Sequence, residues 1–216
     1  MARFSTTQLI RKLRSANHQI VLRSVNELRS RGHLHDGSLR WVYLRYVNLQ
    51  CADLSGANLE HADLKMAKLQ GADLRGANLR SAGLHKTNLR MANLAEADLQ
   101  DARLTQATLQ GAQSLTSDQL QQSCRLRGAT MPDGKRYDGR FALQGDCSDA
   151  RFLGLDLQDP HRMASFYGVS LTEYQDGQAW KREHGQRGWT QTPDIMRTVN
   201  SESVFALDEQ LEQPSR

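Results

Sequence analysis

The chain has 216 residues, 38% of them apolar, and a net charge of +4. No apolar run approaches the ~18 residues of a membrane-spanning helix, so no transmembrane segment is expected. Cys51, Cys124 and Cys147 are an odd number at irregular spacing, without a CxxC or a Cys/His cluster, which argues against a disulfide framework and a zinc site.

The first element is basic. Residues 1–33 carry +6, residues 34–112 carry +1 and residues 113–216 carry −3. The start lacks the continuous apolar stretch and small-residue cleavage site of a signal peptide. Free thiols fit a reducing compartment, so a cytoplasmic location is expected. Residues 5 to about 15 read as a helix and residues 17–30 as a second, with Ile20, Val21, Ser24, Val25 and Leu28 on one face before Gly32 stops it. Residues 1–33 are therefore expected to form a basic helical cap.

From residue 34 the pattern changes. Leucine recurs sixteen times at a spacing of five, from Leu34 to Leu109. Two positions earlier stands a small residue, alanine from Ala52 to Ala112 except at Thr87, with Val42 and Val47 opening the series. The residue between them is often Asp or Asn, as at Asn48, Asp53, Asn58, Asp63, Asp73, Asn78, Asn88, Asn93 and Asp98. A period of five fits neither a helix nor a plain strand. Within a pentad, Ala and Leu are two apart and point the same way on an extended backbone. A turn must follow, and Asp, Asn and Gly are turn residues. Short strand and turn at constant length wind into a coil that buries one Leu/Ala column.

The segments A-D-L-S-G, A-N-L-E-H, A-D-L-K-M, A-D-L-R-G and A-N-L-A-E resemble the pentapeptide-repeat family, whose motif is A-(D/N)-L-x-x. The resemblance covers about 80 residues. It implies a mainly β, right-handed quadrilateral β-helix with four pentads per coil, hence four coils rising roughly 20 Å.

The series breaks at Ser114, and residues 116–123 read as a short helical insertion with Thr116 or Ser117 as N-cap. Pentads resume at Leu126 and Met131. A degenerate register follows at Ala142, Cys147, Phe152 and Leu157, so the β-helix is expected over 34–157. Asp159-Pro160 opens one helix and the Ser170-x-x-Glu173 capping box a second, through about residue 180, giving C-terminal helices over 158–184. Residues 185–216 read as a flexible polar tail, in which 203–210 could order on a partner.

No catalytic fingerprint is present. His33, His35 and Asp36 cluster at the coil entrance but lack a fourth ligand, and Cys51 sits at a coil corner; neither is read as a site. No catalytic, cofactor or metal residue is expected, and the chain is not expected to be an enzyme. Stacking residue n on n+20 gathers a candidate partner-binding face of Trp41, Tyr43, Arg45, Tyr46, Lys65, Met66, His85, Lys86 and Arg103, opposed by Asp63. Aromatic residues beside cations are enriched at interfaces. The expected function is a non-catalytic scaffold that docks a protein partner, or a second copy of itself. The alternative is a nucleic-acid or anionic-surface binder through Arg3, Arg11, Lys12, Arg14, Arg23, Arg29 and Arg31. Some members of the family protect DNA gyrase as acidic mimics of DNA. The mixed charge of this coil departs from that pattern, so that reading ranks lower.

Overall fold

A computed structural model describes residues 4–184. From Leu34 to Leu109 all sixteen repeat leucines are buried, none more than 1% exposed. The alanines two residues earlier are buried with them, apart from the half-buried Ala112. Each pentad turns immediately after its leucine. The alanine N–H closes the turn on the leucine carbonyl three residues back, as Ala57 does to Leu54 at 3.0 Å. The residue just before the alanine has positive φ, from Trp41 (57°) to Gly111 (70°). That combination characterises a type II turn.

Successive turns make a four-sided β-helix. Position n pairs in parallel with n+20 on all four walls, as in Tyr43 with Asp63, Asn48 with Lys68, Asp53 with Asp73 and Asn58 with Asn78. The expected short strands contract to single bridge residues among the described residues. A pentad leaves one outward residue between its two buried ones before the next turn begins. Those outward residues explain the Asp/Asn preference. Each of the nine Asp or Asn side chains accepts the backbone N–H two residues on, at 2.9–3.3 Å, for example Asp98 from Gln100 and Asn58 from Glu60. This Asx hydrogen bond holds the chain as it enters the corner.

Helix α1 is Thr6–Lys12 and α2 is His18–Ser30. Leu9, Leu13, Val21, Val25 and Leu28 join the coil leucines in one core. Outward residues of the first coil have no earlier coil to donate to their carbonyls. Three of these carbonyls, on three walls, are met by side chains of the N-terminal segment. Arg14 Nε donates to Tyr43 O at 2.8 Å, the His18 ring lies 3.2 Å from Asn48 O, and Arg29 donates to Asp53 O at 2.6 Å.

Helix α3, Ser117–Gln121, has Thr116 as N-cap with a full capping box. It interrupts the wall that ends at Asp98. Its Gln119 donates to Leu94 O at 2.9 Å and Ala97 O at 2.8 Å. Two walls continue past it with the register shifted by two, Arg103 pairing with Arg125 and Thr108 with Thr130.

The coil stops there. Residues expected to extend it through 157 instead form α4, Gln144–Phe152. The pentad spacing at Cys147 and Phe152 is coincidental, because Phe152 is 67% exposed and no leucine column forms. Gly145 lies against Cys124, where a Cβ would sit 2.6 Å from the Cys124 carbonyl oxygen. Asp146 then reaches the last coil, accepting the N–H groups of Leu126 and Arg127, both at 3.1 Å. Helices α5 (Pro160–Tyr167, N-cap Asp159) and α6 (Leu171–His184) follow and pack together. Among the described residues no helix is long and apolar enough to cross a membrane. The expected tail, including 203–210, lies outside the described residues.

Candidate functional site

The wall that passes through Tyr43, Asp63, Gly83, Arg103 and Arg125 carries a groove of about 610 Å³. Asx turns and corners fix which side chains line it. On one side stand Trp41, His61 and Ser81; on the other stand Arg45, Lys65, His85, Thr105 and Arg127; Asp149 of α4 closes the far end. The Trp41 ring stacks on His61, with centroids 3.7 Å apart and planes 10° apart. Gly83 lies on the floor. Its φ is not left-handed, and a Cβ there would meet nothing closer than 3.8 Å. Neither backbone conformation nor packing demands glycine at 83, and its missing side chain deepens the groove.

Five cations face two carboxylates in this groove. Arg45 pairs with Asp63, and Arg125 with Asp149 at 3.0 Å. Burial works against the Arg125 charge, but the Asp149 hydrogen bond together with the negative charge of Asp149 and its neighbours outweighs it and raises the pKa. Arg127 lies over the Phe166 ring of α5 at 4.9 Å. The side chains of Lys65 and Arg103 make no hydrogen bond or ion pair among the described residues. Among the described residues, the groove therefore holds more cations than carboxylates.

Of the nine residues expected to form the face, Trp41, Arg45, Lys65, His85 and Arg103 line the groove together. Tyr43, Tyr46, Met66 and Lys86 share the wall but stand outside that lining, with Tyr46, Met66 and Lys86 at one left-handed corner. Sequence reasoning did not select His61, Ser81, Gly83 and Thr105, although the n+20 rule places each in a column already considered. Arg125 and Arg127 required the two-residue shift introduced by α3, and Asp149 required α4.

The coil entrance is internally satisfied. His33 bonds Asp36 at 2.7 Å and Thr6 at 3.0 Å, and His35 lies 2.7 Å from Gly56 O. The His33 hydrogen bond holds the Asp36 carboxyl at about 2. Among the described residues no group of three or more His, Cys, Asp or Glu could hold a metal ion. Cys51 is exposed at a corner, while burial raises the thiol pKa of Cys124 and Cys147.

The pentapeptide-repeat family model matches residues 38–76 and 72–111 with eight copies. No curated protein matches the sequence. Among solved structures, the pentapeptide repeat protein Rfr23 from the cyanobacterium Cyanothece 51142 is 33% identical over 44% of this chain and 60% of its own, with a TM-score of 0.35. Less than two thirds of Rfr23 is thus spanned. The pentapeptide repeat protein alr5209 from Nostoc PCC 7120 is 35% identical over 40% of this chain and 79% of its own, with a TM-score of 0.17. QnrB1, a plasmid-mediated fluoroquinolone resistance protein, is 19% identical over 55% of this chain and 88% of its own, at a TM-score of 0.19. Such TM-scores carry no argument about shape. The relationship rests on the matched repeats, which are the same residues that stack as buried Leu/Ala columns. On that ground the chain belongs to the pentapeptide-repeat family, whose members fold as right-handed β-helices.

Proposed function

We propose that the chain is a non-catalytic interaction scaffold that docks a protein partner through the groove and the aromatic edge beside it. Helices α1–α2 and α4–α6 close the two ends of the stack. The observation that supports this most is the exposure of three aromatic side chains on one wall, Trp41 (62%), Tyr43 (65%) and Tyr46 (64%), next to Lys65 and Arg103, which have no ion pair among the described residues. Clustered exposed aromatics beside cations favour protein recognition. The three cysteines are free, which fits a reducing compartment such as the cytoplasm.

The basic N-terminal segment is a weaker candidate for binding nucleic acid. Arg29 pairs with Asp53, Arg31 with Glu27, Arg14 is bound to Tyr43 O and Lys12 lies over Phe4 at 2.9 Å. That leaves Arg11 and Arg23 among the described cations of the segment, and Arg3 lies outside the described residues. The groove is also basic, the reverse of what an acidic mimic of DNA presents.

The test uses immobilised wild-type chain and three variants to capture partners from the native cell. Proteins that bind wild type should be lost or weakened on Tyr46→Ala and on Lys65→Glu with Lys86→Glu, and retained on Arg11→Glu with Arg23→Glu. Loss of a buried aromatic anchor should speed dissociation about tenfold, for a change of about 1.4 kcal/mol. Charge reversal should mainly slow association and flatten its salt response. If only the Arg11/Arg23 variant loses binding, the helical segment is the working surface instead.

A further inference from the structure

We propose that the groove takes an extended acidic segment of the protein partner, an aromatic residue at one end and carboxylates at alternate positions after it. This rests on the docking role proposed above and specifies the chemistry that is docked. The groove holds five cations against two carboxylates, Asp63 and Asp149. Asp63 pairs with Arg45 and Asp149 with Arg125. Among the described residues Lys65 and Arg103 have no ion pair, and the Arg127 side chain lies over the Phe166 ring without one. These three cations draw an anionic occupant and set its register. The backbone of the wall is already used between coils. Gly83 N–H donates to Ala62 O at 2.9 Å, and Gly83 O accepts from Leu64 at 2.8 Å. An occupant therefore cannot add as a further strand, and side chains carry the recognition.

Spacing fixes the form of the segment. Trp41 stands in the first layer of the wall, Lys65 in the second, Arg103 in the fourth and Arg127 in the fifth. With layers about 4.8 Å apart, the three cations rise at about 5, 14 and 19 Å from Trp41. In an extended peptide every second side chain lies on one face, about 7 Å from the last. An aromatic residue over Trp41 then sets carboxylates two, four and six residues later at about 7, 14 and 20 Å, opposite Lys65, Arg103 and Arg127. One face of the Trp41 ring is stacked on His61, yet Trp41 is 62% exposed, so its outer side accepts that aromatic residue. The floor between the two lining columns is three residues wide, about 7 Å, too narrow for a helix of about 10–12 Å. Gly83 keeps it open at the middle, where a Cβ would meet nothing closer than 3.8 Å. A nucleic-acid strand fits less well, because Asp63 and Asp149 would face its unbroken run of phosphates.

The experiment is a fluorescence-anisotropy titration of the full chain against a labelled peptide, F-G-E-G-E-G-E-G-F, and against the same peptide with Gln for each Glu. An aromatic residue at both ends lets the probe bind in either direction. At about 0.05 M salt the Glu peptide should bind about tenfold tighter than the Gln peptide, as three modest exposed ion pairs together allow. About 0.5 M salt should remove the difference. Arg103→Glu, at an exposed position, and Gly83→Leu, which fills the floor without changing charge, should each weaken the Glu peptide at least about fivefold. Lys68→Glu makes the same change of charge on the next wall and should weaken it less than about twofold. Circular dichroism checks that each variant is folded, and Arg103→Gln replaces Arg103→Glu if the latter is not. Equal affinity for the two peptides, equal loss on Arg103→Glu and Lys68→Glu, or binding indifferent to Gly83→Leu would overturn the proposal. Tighter, Arg103-dependent binding of an oligothymidylate of equal length would overturn it in favour of nucleic acid. A dimer dissolved by Arg103→Glu, without peptide binding, would overturn it in favour of a second copy of the chain. Partner capture that survives a negative titration keeps the docking role and loses only the acidic segment, whereas peptide binding without a captured partner does the reverse.

Discussion

Asp146 is fully buried and accepts two backbone N–H groups from the last coil. Burial raises its pKa from 3.8 to about 6, against the two hydrogen bonds, which pull it down. The folded chain thus holds this proton more tightly than the unfolded chain. Its stabilisation is full below about pH 4 and is lost as pH rises through about 6, a change of about 3 kcal/mol. Asp146→Asn keeps an acceptor but cannot ionise. Urea unfolding from pH 4 to 7 should therefore show wild type losing stability relative to the Asn variant. A constant difference across that range would mean that Asp146 does not titrate there. Corner residues make a second prediction. Glu96 is exposed with φ 59°, a region that costs an L-residue about 1–2 kcal/mol. Glycine removes that cost but adds about 0.5–1 kcal/mol of unfolded-chain entropy. Glu96→Gly should raise stability by up to about 1.5 kcal/mol, measured by the same unfolding curves.

The helices differ from the coil in how they are specified. Coil residues were legible because every fifth side chain must point into the core and every twentieth must stack on the same wall, and the Leu/Ala spacing leaves no other period. The same regularity misled at 142–157, where spacing survives but Asp146 and Gly145 turn the chain against the coil end as α4. Nothing local in the sequence reveals that a carboxylate will be needed at Leu126 and Arg127. Groove residues were legible to the same depth: those in the unbroken n+20 columns could be placed, while Arg125, Arg127 and Asp149 depended on an insertion whose net shift is two residues. The basic N-terminal segment shows the opposite case. Its charge suggested a ligand, whereas Arg14, His18 and Arg29 serve first-coil carbonyls. Arg29→Ala should cost about 1–3 kcal/mol by leaving Asp53 O without its donor. Arg23→Ala, at an exposed position on the same helix, should change stability by less than about 0.5 kcal/mol. Thermal melts of the two variants distinguish a structural arginine from a solvated one.

At the scale of the molecule, the walls behave as a lattice in which four pentads return the chain to the same wall. Deleting 81–100 removes one lattice layer. Asp63 should then pair with Arg103, and every later residue should keep its wall. The product should fold cooperatively, with lower stability and the C-terminal helices facing the same way, as circular dichroism and hydrogen exchange would report. Deleting one pentad, such as 86–90, is a different operation. It leaves the leucine column continuous but turns everything beyond it by a quarter revolution about the axis. Arg125 and Arg127 would leave the wall of Trp41 and Lys65, and the groove would be split between neighbouring walls while the core stayed filled. Deletion length thus acts as a rotary setting, which allows the binding wall to be dismantled without unfolding the body that carries it.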